Sequence, residues 1–144
     1  MKQWTTEDKS NYELRGPWDR EPDKVHWVHN GLDCLIVRGP LGALCGYVGV
    51  PEEHPMFGKE YDNVDVDVHG GLTFAGRCQP TKDDARGVCH PKEGAANEIV
   101  WWLGFDCAHI WDVMPKYKAL SFQDGSYKDL AYVKAEVERL AEQL

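Results

Sequence analysis

Two short segments of the sequence combine histidines, carboxylates and glycines in a pattern that suits proton-transfer chemistry. The first, residues 65–73, has the sequence DVDVHGGLT, and the second, residues 104–112, has the sequence GFDCAHIWD. Imidazole titrates near neutrality, and a neighbouring carboxylate determines which ring nitrogen carries the proton. The same side chains are also common ligands of divalent metals. The two segments therefore predict a general acid–base site or a metal site, with His69, His109 and Asp106 as candidate catalytic residues.

The glycines that follow the first histidine favour a functional role for it. Gly70 and Gly71 leave open space beside His69, which a simple turn would not require. If this segment alternates as a strand does, His69 shares a face with Asp65 and Asp67, and the intervening valines fill the other face. The aspartates are equally typical of the solvated face of an amphipathic strand, and His69 could cap a turn. Both alternatives stay open at this point.

The second segment lies where the most hydrophobic stretch of the chain ends. Asp106 and His109 could form an Asx-type turn at a strand exit as readily as a site. Cys107 is predicted to be a small buried side chain and not a nucleophile. Trp101 and Trp102 point to opposite faces of the predicted strand, so one belongs to the core and the other is either core or a stacking platform.

A third segment, residues 47–59, joins a glycine-punctuated strand to a polar loop. We expect this loop to bring His54 and the cation Lys59 over the same pocket. His54 is therefore a further candidate catalytic residue. In the hairpin before this segment, the histidines are interpreted as surface residues.

These segments need a sheet to position them, and the sequence predicts five or six short strands. Asn30-Gly31 between two apolar runs suits a type I′ hairpin turn, because both residues adopt positive φ easily. The apolar run that ends at Phe105 predicts a central strand covered on both faces. The predicted strands are residues 25–29, 32–37, 44–50, 64–68, 72–75 and 98–105.

One long amphipathic helix is predicted at residues 127–144, with Ser126 as its N-cap. The first 22 residues are polar and contain prolines, so they are expected to form an irregular arm. The fold class is thus α+β, a mainly antiparallel sheet with one long C-terminal helix, in a single domain of residues 1–144. The apolar stripe of the helix comprises Leu130, Val133, Val137, Leu140, Ala141 and Leu144.

Composition narrows the classes of function. The chain has 144 residues, 24 acidic and 16 basic side chains and a net charge of -8. Duplex nucleic acid is an unfavourable partner, because its non-specific binding depends on neutralisation of phosphates by Lys and Arg. No apolar run approaches the roughly 20 residues that span a bilayer, and the first residues lack a signal-peptide hydrophobic region. We therefore expect a cytoplasmic protein without membrane association.

The cysteines and the longest loop add two expectations. Five cysteines without a CxxC pair argue against both a secreted disulfide framework and a zinc finger, so most should be reduced. Residues 76–97 are predicted to be a mobile polar loop, because loops of this length are usually functional or mobile.

Several segments resemble a family of small phage and prophage proteins. The resemblance spans about residues 44–144, and it is carried by GYVGVP, HGGLTF, WWLGFDCAH and the closing YKDL. The HGGLTF and WWLGFDCAH blocks are its more specific parts. The resemblance implies a counter-defence protein that destroys or sequesters the nucleotide messengers of bacterial immunity, in the CBASS or Thoeris systems of the host cytosol.

The resemblance leads to a phosphodiesterase hypothesis, in which the chain cleaves a cyclic nucleotide messenger such as cGAMP. His69 and His109 act as general base and acid, and Asp106 orients a histidine. No metal is required, although a divalent metal at Asp67 and Asp106 gives a metal-assisted variant. The expected substrate-binding residues are Tyr47, Lys59, Asp67, Thr73 and Trp102, with Tyr47 or Trp102 stacking a base and Lys59 balancing the phosphate charge.

Two alternatives use the same residues differently. A non-catalytic sponge would bind a cyclic nucleotide or cyclic ADP-ribose signal without turnover, and a protein-binding inhibitor would leave both histidines without a catalytic role. Monomer and homodimer both fit the sequence. The sequence pattern places the charges of Asp65, Asp67, Asp106 and Asp112 near the histidines, where they would repel a phosphate. The hypothesis therefore requires the histidines, Lys59 or a metal to offset them.

Overall fold

The computed structural model describes residues 1–78, 85–89, 99–121 and 125–144. Within these residues the chain forms one six-stranded antiparallel sheet and one α-helix, which confirms the predicted α+β class. The strands follow the order β1-β2-β3-β4-β6-β5 across the sheet. The elements are β1 (Lys2–Trp4), β2 (Lys24–His29), β3 (Leu32–Arg38), β4 (Leu44–Pro51), β5 (Phe74–Arg77), β6 (Val100–Asp106) and α1 (Leu130–Gln143).

The predicted hairpin of β2 and β3 is confirmed. Asn30 and Gly31 have φ angles of 54° and 74°, as a type I′ turn requires. The two strands pair in register from His29 opposite Leu32 to Lys24 opposite Val37. Local turn chemistry therefore decides this part of the fold.

The N-terminal arm is more regular than expected. Lys2–Trp4 pairs antiparallel with β2, with Gln3 opposite Val25, and forms an edge of the sheet. The sequence predicts that Trp4, Tyr12 and Trp18 anchor this arm. Tyr12 and Trp18 are buried, and Trp4 is half-buried. A three-residue edge strand shows no readable periodicity, and it forms because β2 has a free edge to pair with.

The predicted strand at residues 64–68 is wrong. The segment keeps its alternation, since Val64 and Val68 are buried and Asp67 is exposed, but it belongs to no strand. The backbone N–H of Asp67 donates to Gln143 Oε1 at 2.7 Å, and Gln143 Nε2 donates to the carbonyl of Asp67 at 2.9 Å. Side-chain amide groups of α1 therefore take the place of a neighbouring strand.

The last two strands are displaced from their expected bounds. β5 begins at Phe74, two residues later than predicted, and β6 ends at Asp106, with residue 98 outside the described part of the chain. β6 lies between β4 and β5 and is buried on both faces, as predicted. Residues 76 and 77 of the predicted loop belong to β5, while residues 79–84 and 90–97 lie outside the described residues.

The cysteines divide into one pair and three free thiols. Cys78 and Cys89 form a disulfide, which the odd count did not foresee. Cys34, Cys45 and Cys107 are free, so the majority is reduced as expected. The disulfide links two cysteines that are eleven positions apart in the sequence.

The C-terminal helix begins later than predicted, at Leu130. Asp129, and not Ser126, is its N-cap, and the Asp129 carboxylate accepts from the Tyr132 N–H at 2.8 Å. Glu21 of the N-terminal arm accepts from the Leu130 N–H at 2.7 Å. Two carboxylates at the positive end of the helix dipole stabilise its start.

The predicted stripe of α1 is confirmed as the buried face. Val133, Val137, Leu140 and Ala141 are fully buried against residues of β2, β3, β4 and β6. A second core cluster lies on the opposite face of the sheet and contains Leu35, Val88, Val100 and Trp102, with Tyr47 and Phe74 packed against it. The sheet is thus covered on both faces along β6.

Candidate active site

A buried carboxylate, Asp112, organises a cluster of polar side chains beyond the end of β6. Its backbone is held by an isolated bridge to Ser126, and its side chain is fully buried. The carboxylate accepts from His69 Nε2 at 2.9 Å and from His109 Nδ1 at 3.1 Å. It also accepts from the backbone N–H of His109 at 3.1 Å, and its other oxygen lies 3.2 Å from Lys128 Nζ.

These donors keep Asp112 ionised. Burial by itself raises the pKa of a carboxyl group, but hydrogen bonds from His69, from the His109 backbone and from Lys128 outweigh it and lower the pKa of Asp112. Because the ammonium of Lys128 pairs with the carboxylate, the buried charge is neutralised. Lys128 was not among the groups that the sequence analysis considered for offsetting this charge, which were the histidines, Lys59 and a metal.

His69 links the carboxylate to a tyrosine on α1. Its Nε2 faces Asp112, and its Nδ1 lies 2.9 Å from Tyr132 Oη. We assign the proton to Nε2, because a carboxylate can only accept, which leaves Nδ1 to accept from the phenol. The imidazole side chain is only 6% exposed. Asp112, His69 and Tyr132 thus form a continuous hydrogen-bonded chain.

His109 is the more accessible imidazole. Its Nδ1 donates to Asp112, which leaves Nε2 as the proton acceptor of the neutral ring. The ring packs directly on Gly70, where a Cβ atom would lie 2.2 Å from His109 Cε1. On its other side the ring stacks on Trp111, with centroids 5.2 Å apart and planes 8° apart. Trp111 is 53% exposed and marks the open side of the cluster.

The expected orienting acid, Asp106, lies beside the cluster and forms a turn. Its Oδ1 accepts from the Ala108 N–H at 3.0 Å, which confirms the Asx-type alternative. Its Oδ2 accepts from Thr73 Oγ1 at 3.0 Å. The distance from Asp106 Oδ1 to His109 Nδ1 is 3.8 Å, longer than the contact that Asp112 makes with the same atom. Of these two carboxylates, Asp112 is therefore the closer to His109.

The expectation that His54 and Lys59 overhang the same pocket is wrong. The carbonyl of Lys59 accepts from Trp101 Nε1 at 2.9 Å, near the start of β6, whereas the histidine cluster follows its end. His54 Nδ1 accepts from the Met56 N–H within its own loop. Seven strand residues separate the two ends by about 20 Å, because a strand rises about 3.3 Å per residue.

The expected stacking residues are core side chains. Trp102 is fully buried, and Tyr47 packs edge-on against Phe74 with ring centroids 5.4 Å apart, both in the second core cluster. Burial raises the pKa of the Tyr47 phenol. Asp67 is also outside the cluster, since its exposed carboxylate pairs with Arg139 at 3.0 Å. The exposed aromatic residue that stacks face to face on a histidine is Trp111, on His109.

Three residues of the cluster were missed as functional candidates: Lys128, Tyr132 and Asp112. Asp112 was considered only as a charge near the histidines. It lies three positions after His109 and Asp106 lies three positions before it, so spacing alone does not distinguish the two. Lys128 lies two positions before α1 and Tyr132 lies in its first turn. Lys128 belongs to the YKDL block, but that block implied no role for it, and Tyr132 belongs to no block. Their place in the site depends on how the helix packs, which no local pattern encodes. Cys107 is buried as predicted, and burial raises the pKa of its thiol.

The same cluster has the donor set of a metal site. One ligand atom each from His69, His109 and Asp112 lies within 4.8 Å of the others. Two imidazoles and a carboxylate suit Zn²⁺, and the Tyr132 contact to His69 Nδ1 would serve as an outer-shell partner. Lys128 already occupies one oxygen of Asp112, so the carboxylate could bind a metal through the other.

A cavity of about 430 Å³ lies elsewhere, at the Pro51 and Val100 end of the sheet. The carboxylates on its lining are those of Asp33, Glu52 and Glu53. His26, the imidazole that contacts Asp33 at 2.9 Å, is not among the lining residues. The lining residues also include none of His69, His109 and Asp112, so the cavity is separate from the histidine cluster.

Comparison of the chain with protein-family models, with curated proteins and with solved structures finds no significant match. In the described part of the chain, no helix has both the length and the apolar character needed to cross a membrane. The site is therefore interpreted from its own geometry.

Proposed function

We propose that this protein is a hydrolase that cleaves a phosphodiester bond in a small cyclic nucleotide. The observation that carries the proposal is that two imidazoles, of His69 and His109, share one buried carboxylate, Asp112. Such an arrangement holds two proton-transfer groups in defined tautomers, which general acid–base catalysis needs. The open side of the cluster, at Trp111, gives a substrate access to it.

The tautomers assign opposite roles to the two histidines. His69 presents an accepting Nδ1 to a hydroxyl group, which is the role of a general base. His109, once it carries a proton on both nitrogens, can donate from Nε2 to the leaving oxygen. The negative charge of Asp112 stabilises the imidazolium in each case, as the carboxylate of a catalytic triad does.

The nucleotide class is supported by the surroundings of His109. Trp111 offers an exposed aromatic face on which a base can stack, and such stacking contributes about 1–3 kcal/mol per base. Lys128 supplies a cation near the reacting groups. The resemblance of the HGGLTF and WWLGFDCAH blocks to phage proteins favours a cyclic messenger of bacterial immunity as the substrate.

Sequestration is a second candidate, favoured by the stacked pair of His109 and Trp111. A sponge needs an aromatic platform and hydrogen-bond donors but no matched acid and base. A sponge would not need the hydrogen-bonded chain that runs from Asp112 through His69 to a hydroxyl group. We therefore place hydrolysis first.

The test is to incubate the purified protein with a panel of cyclic dinucleotides and cyclic ADP-ribose isomers and to chromatograph the products. We expect cleavage of at least one of them, and losses of about 100-fold or more in His69→Ala and His109→Ala. His54→Ala is the matched control and should retain full activity, because His54 lies in a separate loop.

The other outcomes discriminate between the candidates. Ligands returned intact together with a raised melting temperature would identify a sponge. Intact ligands without any thermal shift would exclude both nucleotide functions. Loss of cleavage in EDTA, restored by Zn²⁺, would identify a metal-assisted reaction at His69, His109 and Asp112. The metal pair predicted from the sequence, Asp67 and Asp106, does not form this donor set, since Asp67 pairs with Arg139.

A further inference from the structure

The general base of the proposed site already has a hydroxyl group as its partner. Both nitrogens of His69 are engaged, one with Asp112 and the other with Tyr132, and the ring is 6% exposed. A water molecule or a ribose hydroxyl can reach His69 Nδ1 only by displacing the phenol. Among the described residues, the hydroxyl that this base can deprotonate without rearrangement is that of Tyr132.

We propose that Tyr132 is the nucleophile of a Tyr132–His69–Asp112 triad. The proposal rests on the proposed phosphodiester hydrolysis and names its attacking group. A hydroxyl within hydrogen-bond distance of an imidazole whose other nitrogen faces a buried carboxylate is the general arrangement of an activated nucleophile. Tyr132 Oη, His69 and Asp112 meet this description with contacts of 2.9 Å on each side of the ring.

The exposure of Tyr132 suits attack on an external substrate. The side chain is 39% exposed although its hydroxyl contacts a buried imidazole. The ring lies edge-on to His69 with centroids 5.5 Å apart, and the first turn of α1, whose N-cap bond is to the Tyr132 N–H, fixes its backbone. The phenol donates its hydrogen bond to His69 Nδ1, so that imidazole is the base placed to activate it.

The step can be written with its atoms balanced. Tyr132 Oη forms a bond to phosphorus while the bond from phosphorus to the leaving oxygen breaks. The phenolic proton passes to His69 Nδ1, and protonated His109 donates a proton to the leaving oxygen. Water then attacks phosphorus in the tyrosyl phosphodiester and gives its proton to the now neutral His109. The bond from Tyr132 Oη to phosphorus breaks as His69 returns its proton to the phenolic oxygen, which releases the phosphate monoester and restores the phenol.

The test uses a phosphorus electrophile and needs no nucleotide. Diisopropyl fluorophosphate is added to the full-length protein, and the adducts are located by peptide mass spectrometry over time. The reaction forms an O–P bond at tyrosine and releases fluoride. We expect Tyr132 to be labelled at least about ten-fold faster than Tyr117, which has the same 39% exposure, and we expect His69→Ala to remove the difference.

Two controls separate folding from chemistry. His69→Gln keeps a polar side chain in the same place and should also slow labelling of Tyr132, with the fold checked by circular dichroism. Tyr132→Phe keeps the ring, should show no adduct at position 132, and should lose nucleotide cleavage.

The outcomes of the two proposals are distinguishable. Equal labelling of Tyr132 and Tyr117, or rapid labelling of Tyr132 in folded His69→Gln, would overturn the triad. Nucleotide cleavage that persists in Tyr132→Phe would overturn it too, while leaving the hydrolase intact. Selective, His69-dependent labelling without cleavage of any nucleotide would support the nucleophile and contradict the proposed substrate.

Discussion

His109 depends on a neighbour that has no side chain. Its ring occupies the space where a Cβ atom of Gly70 would be, and Gly70 also has a positive φ of 69°. Gly71 has a similar φ of 79° but no atom within 4 Å of its Cβ position. A side chain at position 71 would therefore cause backbone strain alone, whereas a side chain at position 70 would cause both strain and a clash with His109.

We predict that Gly70→Ala displaces the His109 ring, whereas Gly71→Ala does not. Both variants should lose about 1–2 kcal/mol of unfolding free energy from positive φ, and Gly70→Ala should lose more because of the clash. The measurement is NMR of the His109 imidazole together with urea unfolding. Equal changes in the His109 signals of both variants would contradict the packing described for this ring.

At the scale of elements, the position of α1 decides whether the site exists, because the helix carries Tyr132 and follows directly on Lys128. The helix packs closely on β4 at Gly46, where a Cβ atom would lie 2.5 Å from Val137 Cγ2 and 2.6 Å from Phe105 Cζ. Gly46, Val137 and Phe105 are all buried in the core beneath the helix. The helix can rest on the sheet at this distance only because β4 has a glycine there.

We predict that Gly46→Ala destabilises the protein by about 1–3 kcal/mol, because the added methyl group overpacks a rigid core. Gly76→Ala in β5 is the control, since its nearest atom, Phe74 Cζ at 3.1 Å, belongs to the far end of a side chain. Urea unfolding monitored by tryptophan fluorescence measures both. A Gly46→Ala variant as stable as Gly76→Ala would show that α1 can shift at no cost.

At the scale of the whole molecule, two buried carboxylates connect distant parts of the chain. Asp112 joins the end of β6 to the start of α1, and Asp23 joins the N-terminal arm to β3 through Arg38 at 2.6 Å and Lys9 at 2.8 Å. Burial raises the pKa of Asp23, but hydrogen bonds from Lys9, Arg38 and two backbone N–H groups lower it overall. Both carboxyl groups thus have a pKa below the ordinary 3.8 in the folded state.

We predict acid-sensitive stability from these two groups. A lowered folded-state pKa contributes stability that is present above the unfolded value of 3.8 and is lost as the pH falls through the folded value. Urea midpoints measured from neutral pH down to below 3.8 should therefore fall at the acidic end. Asp112→Asn should lose about 1–3 kcal/mol at neutral pH and show a shallower decline.

The exposed Asp67 provides the matched control for this pH experiment. Its carboxylate pairs with Arg139 at the surface, with a side-chain exposure of 89%, and such pairs contribute about 0–1 kcal/mol. Asp67→Asn should keep the acid decline of the parent protein. An Asp112→Asn decline as steep as that of Asp67→Asn would mean that Asp112 is not responsible.

Much of the fold was predictable because its signals are local. Asn30-Gly31 specifies its hairpin turn, the stripe from Val133 to Ala141 specifies the buried face of α1, and the apolar run of β6 specifies a strand buried on both faces. Each signal lies within a few residues of chain, where turn conformation and side-chain periodicity act directly. The histidine segments were recognisable for the same reason.

What the sequence did not determine is which segments become neighbours. Residues 64–68 alternate like a strand, yet they bind Gln143 of α1, and Lys2–Trp4 shows no pattern, yet it pairs with β2. Pairing and packing depend on which free edges and faces remain in the assembled sheet, which is a property of the whole chain.

The candidate site divides in the same way. The sequence by itself identified His69 and His109 as candidates for proton transfer, because the chemistry of an imidazole belongs to its side chain and both lie beside carboxylates and glycines. Only the tertiary structure decided that Asp112 holds them, that Lys128 neutralises it and that Tyr132 contacts His69. The bonds of His69 to Asp112 and to Tyr132 join residues that are 43 and 63 positions apart, so they exist only after the segments beyond β6 and at the start of α1 have packed together.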